Sequence, residues 1–206
     1  MCRSCSHERV AYRGTSILSF DLERSLRRLR PERQTTRLGR RSDDALPFVP
    51  ENATGGPGLL LDTCVYIDIL QRRVPETLQS FMAARLCNHS GVALAELTHL
   101  LGRLDPADAR TRKVLTEISG VISDMPQHRL TAPSTRALGE SGILAGLAAR
   151  LAGVESGHGQ ALLNDATLYL QAMEQGQMVL TRNIREFDWF DQLLPNNRIL
   201  FYRQMQ

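Results

Sequence analysis

Apolar residues fall along this chain in two kinds of pattern. Leu59-Leu60-Leu61, Met178-Val179-Leu180 and Ile199-Leu200-Phe201 are short, unbroken runs. Such runs predict strands buried on both faces, as in a parallel sheet covered by helices. Elsewhere the spacing is helical. Leu97, Leu100, Leu101 and Leu104 recur at i, i+3, i+4 and i+7, and Leu78, Phe81, Met82 and Leu86 mark one face of a helix over residues 76–87. Further helices are predicted over residues 65–71, 106–122 and 134–151. In the last of these, Gly139, Gly142 and Gly146 either weaken the helix or admit a close neighbour. Asn164 and Asp165 are good residues to open a helix running through Leu168 and Met173, which Gly176 would stop. Residues 128–131 read as a short strand, and Val92-Ala93-Leu94 as a strand or the entry to a helix. Strands alternating with helices imply right-handed parallel crossovers, hence an α/β fold in three layers, helix–sheet–helix, around a central mostly parallel sheet.

Charge divides the chain. Residues 1–57 hold 11 Arg and seven acids, net +4, whereas residues 58–206 hold 14 basic and 15 acidic residues, net −1, together the +3 of the whole. Within the basic part, Leu18, Leu22, Leu26 and Leu29 suggest an amphipathic helix over residues 17–29. It offers little apolar surface to offset the entropy of ordering it, so residues 1–57 are expected to be an Arg-rich, poorly ordered extension. A nucleic-acid or partner-binding arm, or a membrane-surface helix, is the alternative. Pro47, Pro50, Gly55, Gly56, Pro57 and Gly58 mark a linker, placing the folded domain at 58–206. No apolar run is long enough to span a membrane and there is no secretory signal, so a cytoplasmic protein is expected. Cys2 and Cys5 form a CxxC, which lacks the two further ligands of a zinc site.

The chemistry lies where the predicted strands end. Asp62 follows the first apolar run, and Thr181-Arg182-Asn183 follows the second, with Glu186, Phe187 and Asp188 close behind. Glu96 stands just before the leucine stripe, and Asp165 at the start of its helix. In an open parallel sheet these can share the crevice outside the carboxyl ends of the strands. Carboxylates at close range need a compensating cation, and hard oxygen donors select Mg²⁺ or Mn²⁺. Such ions support phosphodiester cleavage by water. Each acid alone has a plainer reading, as a helix cap or a solvated residue; their shared crevice is the argument for a site.

In order and spacing, Leu60-Leu61-Asp62-Thr63, Glu96, Asp165 and the stretch Thr181 to Phe187 resemble the PIN domain, especially the VapC-type ribonuclease toxins of bacterial toxin–antitoxin modules, over residues 58–203. The resemblance implies a PIN-like fold and Asp62, Glu96, Asp165 and Glu186 as catalytic, metal-binding acids, with Mg²⁺ or Mn²⁺ as cofactor. Glu186 replaces the commoner Asp, and Asp188 is the alternative fourth acid. Thr181 and Asn183 would orient an acid, the phosphate or water. Apart from the resemblance, Arg182 and Arg185 flank the proposed acids and so offer contacts to RNA phosphates. The resemblance further implies an RNA substrate such as tRNA or ribosomal RNA, a cognate antitoxin protein and a homodimer. The competing expectation is a catalytically inactive PIN-like module that binds RNA or protein. A haloacid-dehalogenase-type phosphatase would need an acid where Cys64 stands.

Overall fold

A computed structural model of the chain describes residues 20–50, 55–154 and 156–205. The three apolar triplets become strands β1 (Leu59–Leu61), β4 (Met178–Thr181) and β5 (Ile199–Phe201). Two further strands, β2 (Cys87–Ser90) and β3 (Leu130–Thr131), complete a five-stranded sheet of order β3-β2-β1-β4-β5 in which every pair is parallel. β2 reads Cys-Asn-His-Ser, with no apolar run to announce it. Val92-Ala93-Leu94 instead lies in helix α4 (Gly91–Gly102), because Ser90 caps that helix by accepting from the Val92 amide at 3.0 Å.

Side chains alternate across the strands as the pleat requires. Leu60, Val179, Ile199 and Phe201 face one hydrophobic layer; Leu59, Leu61, Leu180 and Leu200 face the other. The first layer is covered by α6 (Thr135–Ala152), α7 (Gly159–Glu174) and α8 (Ile184–Leu193). The second is covered by α2 (Thr63–Leu70), α3 (Glu76–Ala83), α4 and α5 (Thr111–Ser123). The predicted three layers are therefore present, and the sheet is parallel throughout. No helix among the described residues is long and apolar enough to cross a membrane.

Two helices begin away from their predicted starts. Thr111 opens α5, where residues 106–110 form turns. α7 begins at Gly159, so Asn164 and Asp165 lie in its second turn and cap nothing. Leu162 is buried and extends the apolar stripe upstream, which holds the extra turn in the helix.

Residues 20–50 pack on the domain, against the expectation of a poorly ordered extension over 1–57. Helix α1 (Leu22–Leu29) is capped by Asp21, lies on α6 and buries Leu29. Ser25 donates to Glu140 at 3.1 Å, and Arg28 pairs with the same carboxylate. Further along, Arg41 pairs with Asp188 and with Asp191, the latter at 2.7 Å. The segment then runs beside β5: the Phe201 amide donates to the Pro47 carbonyl and the Val49 amide to the Phe201 carbonyl, both at 2.8 Å. Paired charges and backbone hydrogen bonds order this segment where apolar area alone is insufficient. The cysteine pair Cys2 and Cys5, the start of the predicted 17–29 helix and linker residues 51–54 lie outside the described residues.

Candidate active site

β1 and β4 are adjacent, and the chain winds away from them in opposite directions, to β2 and β3 on one side and to β5 on the other. This is the switch point of a doubly wound sheet, where the carboxyl ends open into a crevice. Asp62 leaves β1 there, its amide donating to the Leu180 carbonyl at 3.1 Å. Although Asp62 stands at the N-cap position of α2, its side chain makes no capping hydrogen bond. Instead it accepts from Thr181 Oγ1 at 2.5 Å and from Cys64 Sγ at 2.9 Å. The cap reading of Asp62 is thereby set aside, and its carboxylate is turned to the crevice-side neighbours.

Glu96 and Asp165 are held in the same manner, by neutral donors, and Glu186 by an arginine. Glu96, in the second turn of α4, accepts from Asn164 Nδ2 at 2.7 Å and from the Thr63 hydroxyl. Asp165 accepts from Asn183 Nδ2 at 2.9 Å, and the Asn183 amide in turn donates to Thr181 Oγ1 at 2.9 Å. Glu186, in the first turn of α8, is bound at Oε1 by Arg185 Nε and Nη2, at 3.0 and 2.6 Å. Burial pushes the Asp165 carboxyl well above the usual carboxylate range, and the charges of Asp62, Glu96 and Glu186 push it further, against the Asn183 hydrogen bond. Asp62 is also raised, chiefly by burial and secondarily by Glu96, while the Cys64 and Thr181 hydrogen bonds act the other way. Asp165 thus feels the charges of Asp62, Glu96 and Glu186, and Asp62 feels that of Glu96.

Asp188 is elsewhere. It is fully buried on α8 and accepts from the Arg41 amide at 2.8 Å, from the Arg41 guanidinium and from Gln192 at 3.1 Å. Its oxygens are taken up by Arg41 and Gln192, whereas Glu186 is among the charges that act on Asp165. Arg182 pairs with a buried acid, Asp68, at 2.8 Å.

Several residues of the site were not singled out as site residues from the sequence. Thr63 and Asn164 hold Glu96; each adjoins an acid, Asp62 or Asp165, and that adjacency was the available signal. Cys64 donates to Asp62, and burial foremost, then the Asp62 charge, pushes its thiol well up, so it serves as a neutral donor. Asp68, within the otherwise apolar stretch Val65 to Leu70, was visible only as an acid out of place.

Among the described residues no group of three or more His, Cys, Asp or Glu side chains stands close enough to enclose a metal ion. The donor chemistry nevertheless fits a hard divalent cation: four carboxylates, two hydroxyls and two amides supply oxygen, with no His among them.

Fold and crevice define a PIN-like α/β protein, a doubly wound parallel sheet with acids at its switch point. The structure is similar to a chain of VapBC2 from Rickettsia felis bound to a DNA fragment from their promoter, with 15% identity and a TM-score of 0.50 over 70% of this chain and 98% of that one. It is likewise similar to a chain of FitAcB from Neisseria gonorrhoeae, with 19% identity and a TM-score of 0.50 over 70% and 96%. The sequence resemblance to PIN domains is thus borne out in the fold. No protein-family model and no curated protein matches the chain.

Proposed function

We propose that this protein is a metal-dependent endoribonuclease, the toxin of a type II toxin–antitoxin pair, acting in the cytoplasm. The observation that supports it is that Asp62, Glu96 and Glu186 all lie near enough to raise the Asp165 carboxyl, beside the β1–β4 switch point. The cost of gathering four carboxylates in a half-buried crevice has no structural return. A divalent cation bound by these acids would supply charge stabilisation for hydrolysis of an RNA phosphodiester by water.

The chain's own residues perform the positioning. Thr181 spans two roles, donating to Asp62 and accepting from the Asn183 amide, so that Asn183 is held where it grips Asp165. Thr63 and Asn164 fix Glu96 from both sides. Each acid is therefore oriented before any ligand arrives, which removes reorganisation from the bound state. Water as nucleophile leaves a 5′-phosphate and a 3′-hydroxyl, with no call on the ribose 2′-OH. The substrate class is structured RNA cut in a single-stranded loop, such as tRNA or ribosomal RNA. A separately encoded antitoxin would restrain the enzyme, in keeping with the VapBC2 and FitAcB assemblies of similar fold, and the toxin would act as a homodimer.

The test is digestion of total bacterial RNA by the wild-type chain and by Asp62→Ala and Asp165→Ala, each with Mg²⁺, with Mn²⁺ and with EDTA. Discrete fragments from wild type alone, lost in EDTA, support the reading. RNA bound equally with and without metal, and cut by none of them, would replace it with a non-catalytic binding module.

A further inference from the structure

The strongest unused feature is a buried acid that holds an arginine beside the crevice. Asp68 sits on α2 with its side chain wholly buried. One of its oxygens, Oδ2, accepts from the Tyr202 hydroxyl at 2.7 Å and forms an ion pair with Arg182 Nε at 2.8 Å. The other, Oδ1, has no hydrogen-bond partner among the described residues. As a device for stability this is poor: a buried carboxylate with an unsatisfied oxygen costs more than the apolar side chain that Val65, Ile67 and Leu70 would suggest for the position. The arrangement does, however, fix one guanidinium.

Arg182 lies between the residue that holds Asp62 and the residue that holds Asp165. Its amide donates to Cys64 Sγ at 3.4 Å, so its backbone is tied to the same crevice. Its side chain is 40% exposed, its nearest approach to Asp68 is through Nε, and its two terminal nitrogens make no hydrogen bond among the described residues, which leaves their hydrogens for another acceptor. Arg185 differs. It gives Nε and Nη2 to Glu186, and its guanidinium lies 5.4 Å over the Trp189 ring.

We propose that Asp68 and Tyr202 position Arg182 as a substrate-phosphate contact, its terminal nitrogens reading the RNA backbone next to the acid cluster. This rests on the nuclease reading and extends it to how the strand is held. An arginine already ordered by a buried partner gives up less side-chain freedom when phosphate binds, and the guanidinium edge matches phosphate oxygens. Arg182 is the contact and Asp68 and Tyr202 are positioning residues.

The experiment measures binding of a fluorescein-labelled single-stranded RNA to the full chain in EDTA, in an Asp62→Ala background, across a salt series. Arg182→Ala is expected to weaken binding about tenfold and to flatten the log Kd against log salt slope by about 0.7, the loss of one single-strand phosphate contact. Arg182→Ala also strands the Asp68 charge, so the double variant Asp68→Asn/Arg182→Ala is included. It is expected to recover the melting temperature and not the affinity or slope. Asp68→Asn and Tyr202→Phe alone are expected to weaken binding a few-fold with the slope retained, because the arginine is still charged and less well aimed. Recovery of wild-type affinity in the double variant, or an unchanged slope in Arg182→Ala, overturns the proposal. Cleavage by the parent chain with Mg²⁺ is scored separately. Cutting without any Arg182 dependence of Kd, KM or slope sinks this inference alone, whereas Arg182-dependent binding without cutting sinks the nuclease reading alone.

Discussion

At the scale of the residue, burial and neighbouring charge work against the ionised forms of Asp62 and Asp165. Asp165 has its folded pKa raised, mostly by burial and then by Asp62, Glu96 and Glu186, so the folded chain holds that proton more tightly than the unfolded one. The resulting stability is fully present below the ordinary value of 3.8 and is lost as pH rises through the raised value. Asp165→Asn should therefore raise the melting temperature of the metal-free protein at pH 8, with the gain shrinking toward pH 4. A uniform gain, or none, would show that the carboxylate is not under this pressure. Residues of this kind differ in how far the sequence reveals them. Asp62 and Thr181 stand directly after apolar strands, so strand prediction alone delivers them to the carboxyl edge. Asp68 shows in the sequence only as an acid out of place in an apolar stretch; its partner Tyr202 lies 134 positions away, and no local pattern joins them. Asp188 was placed among candidates by its position near Glu186; its partner Arg41 lies 147 positions upstream, and no local pattern joins them.

At the scale of the element, charge rather than apolar area attaches residues 20–50 to the domain. Arg41 neutralises Asp188, which is wholly buried, and Asp191, which is nearly so. Arg41→Ala should leave both carboxylates uncompensated and cost about 3 kcal/mol, a fall in melting temperature on the order of 10 °C. Differential scanning calorimetry checks it, and a shift within about 1 °C would mean that the pairing contributes only as an exposed pair does. Helix α6 offers a contrast between glycines. A Cβ on Gly139 would run into the Phe20 ring, whereas Gly142 and Gly146 have nothing within 4 Å of that position. Gly142→Ala and Gly146→Ala should each stabilise the protein by roughly 0.5–1 kcal/mol, and Gly139→Ala should not. Melting curves of the three variants decide between a helix that is merely weakened and one that receives a neighbour. Sequence admitted both readings; Phe20, which selects between them at Gly139, sits 119 positions earlier. Helices with a clean apolar stripe were legible as elements, while their starts moved where a buried residue such as Leu162 or a cap such as Ser90 overrode local preference.

At the scale of the whole molecule, the parallel sheet was legible from its unbroken apolar strands, and its order was not, since β2 carries no apolar run and order depends on which edges meet. The order matters because it sets β1 beside β4 and so gathers the four acids. If these acids bind a divalent ion, Mg²⁺ or Mn²⁺ should raise the melting temperature by mass action, by about 2.7 kcal/mol at a hundredfold excess over Kd. Asp165→Asn should abolish most of that gain, and equal stabilisation of both proteins would place the ion elsewhere. The pairing of Pro47 and Val49 with Phe201 has a further consequence, for the timing of synthesis. Residues 20–50 leave the ribosome early, but the surfaces that receive them on α6, α8 and β5 are completed only when residue 201 has emerged. Tyr202, which aims Arg182, arrives later still. The nascent chain therefore carries residues 46–50 without their strand partner until β5 has been made, and the closure of this part of the fold waits on residues 199–202.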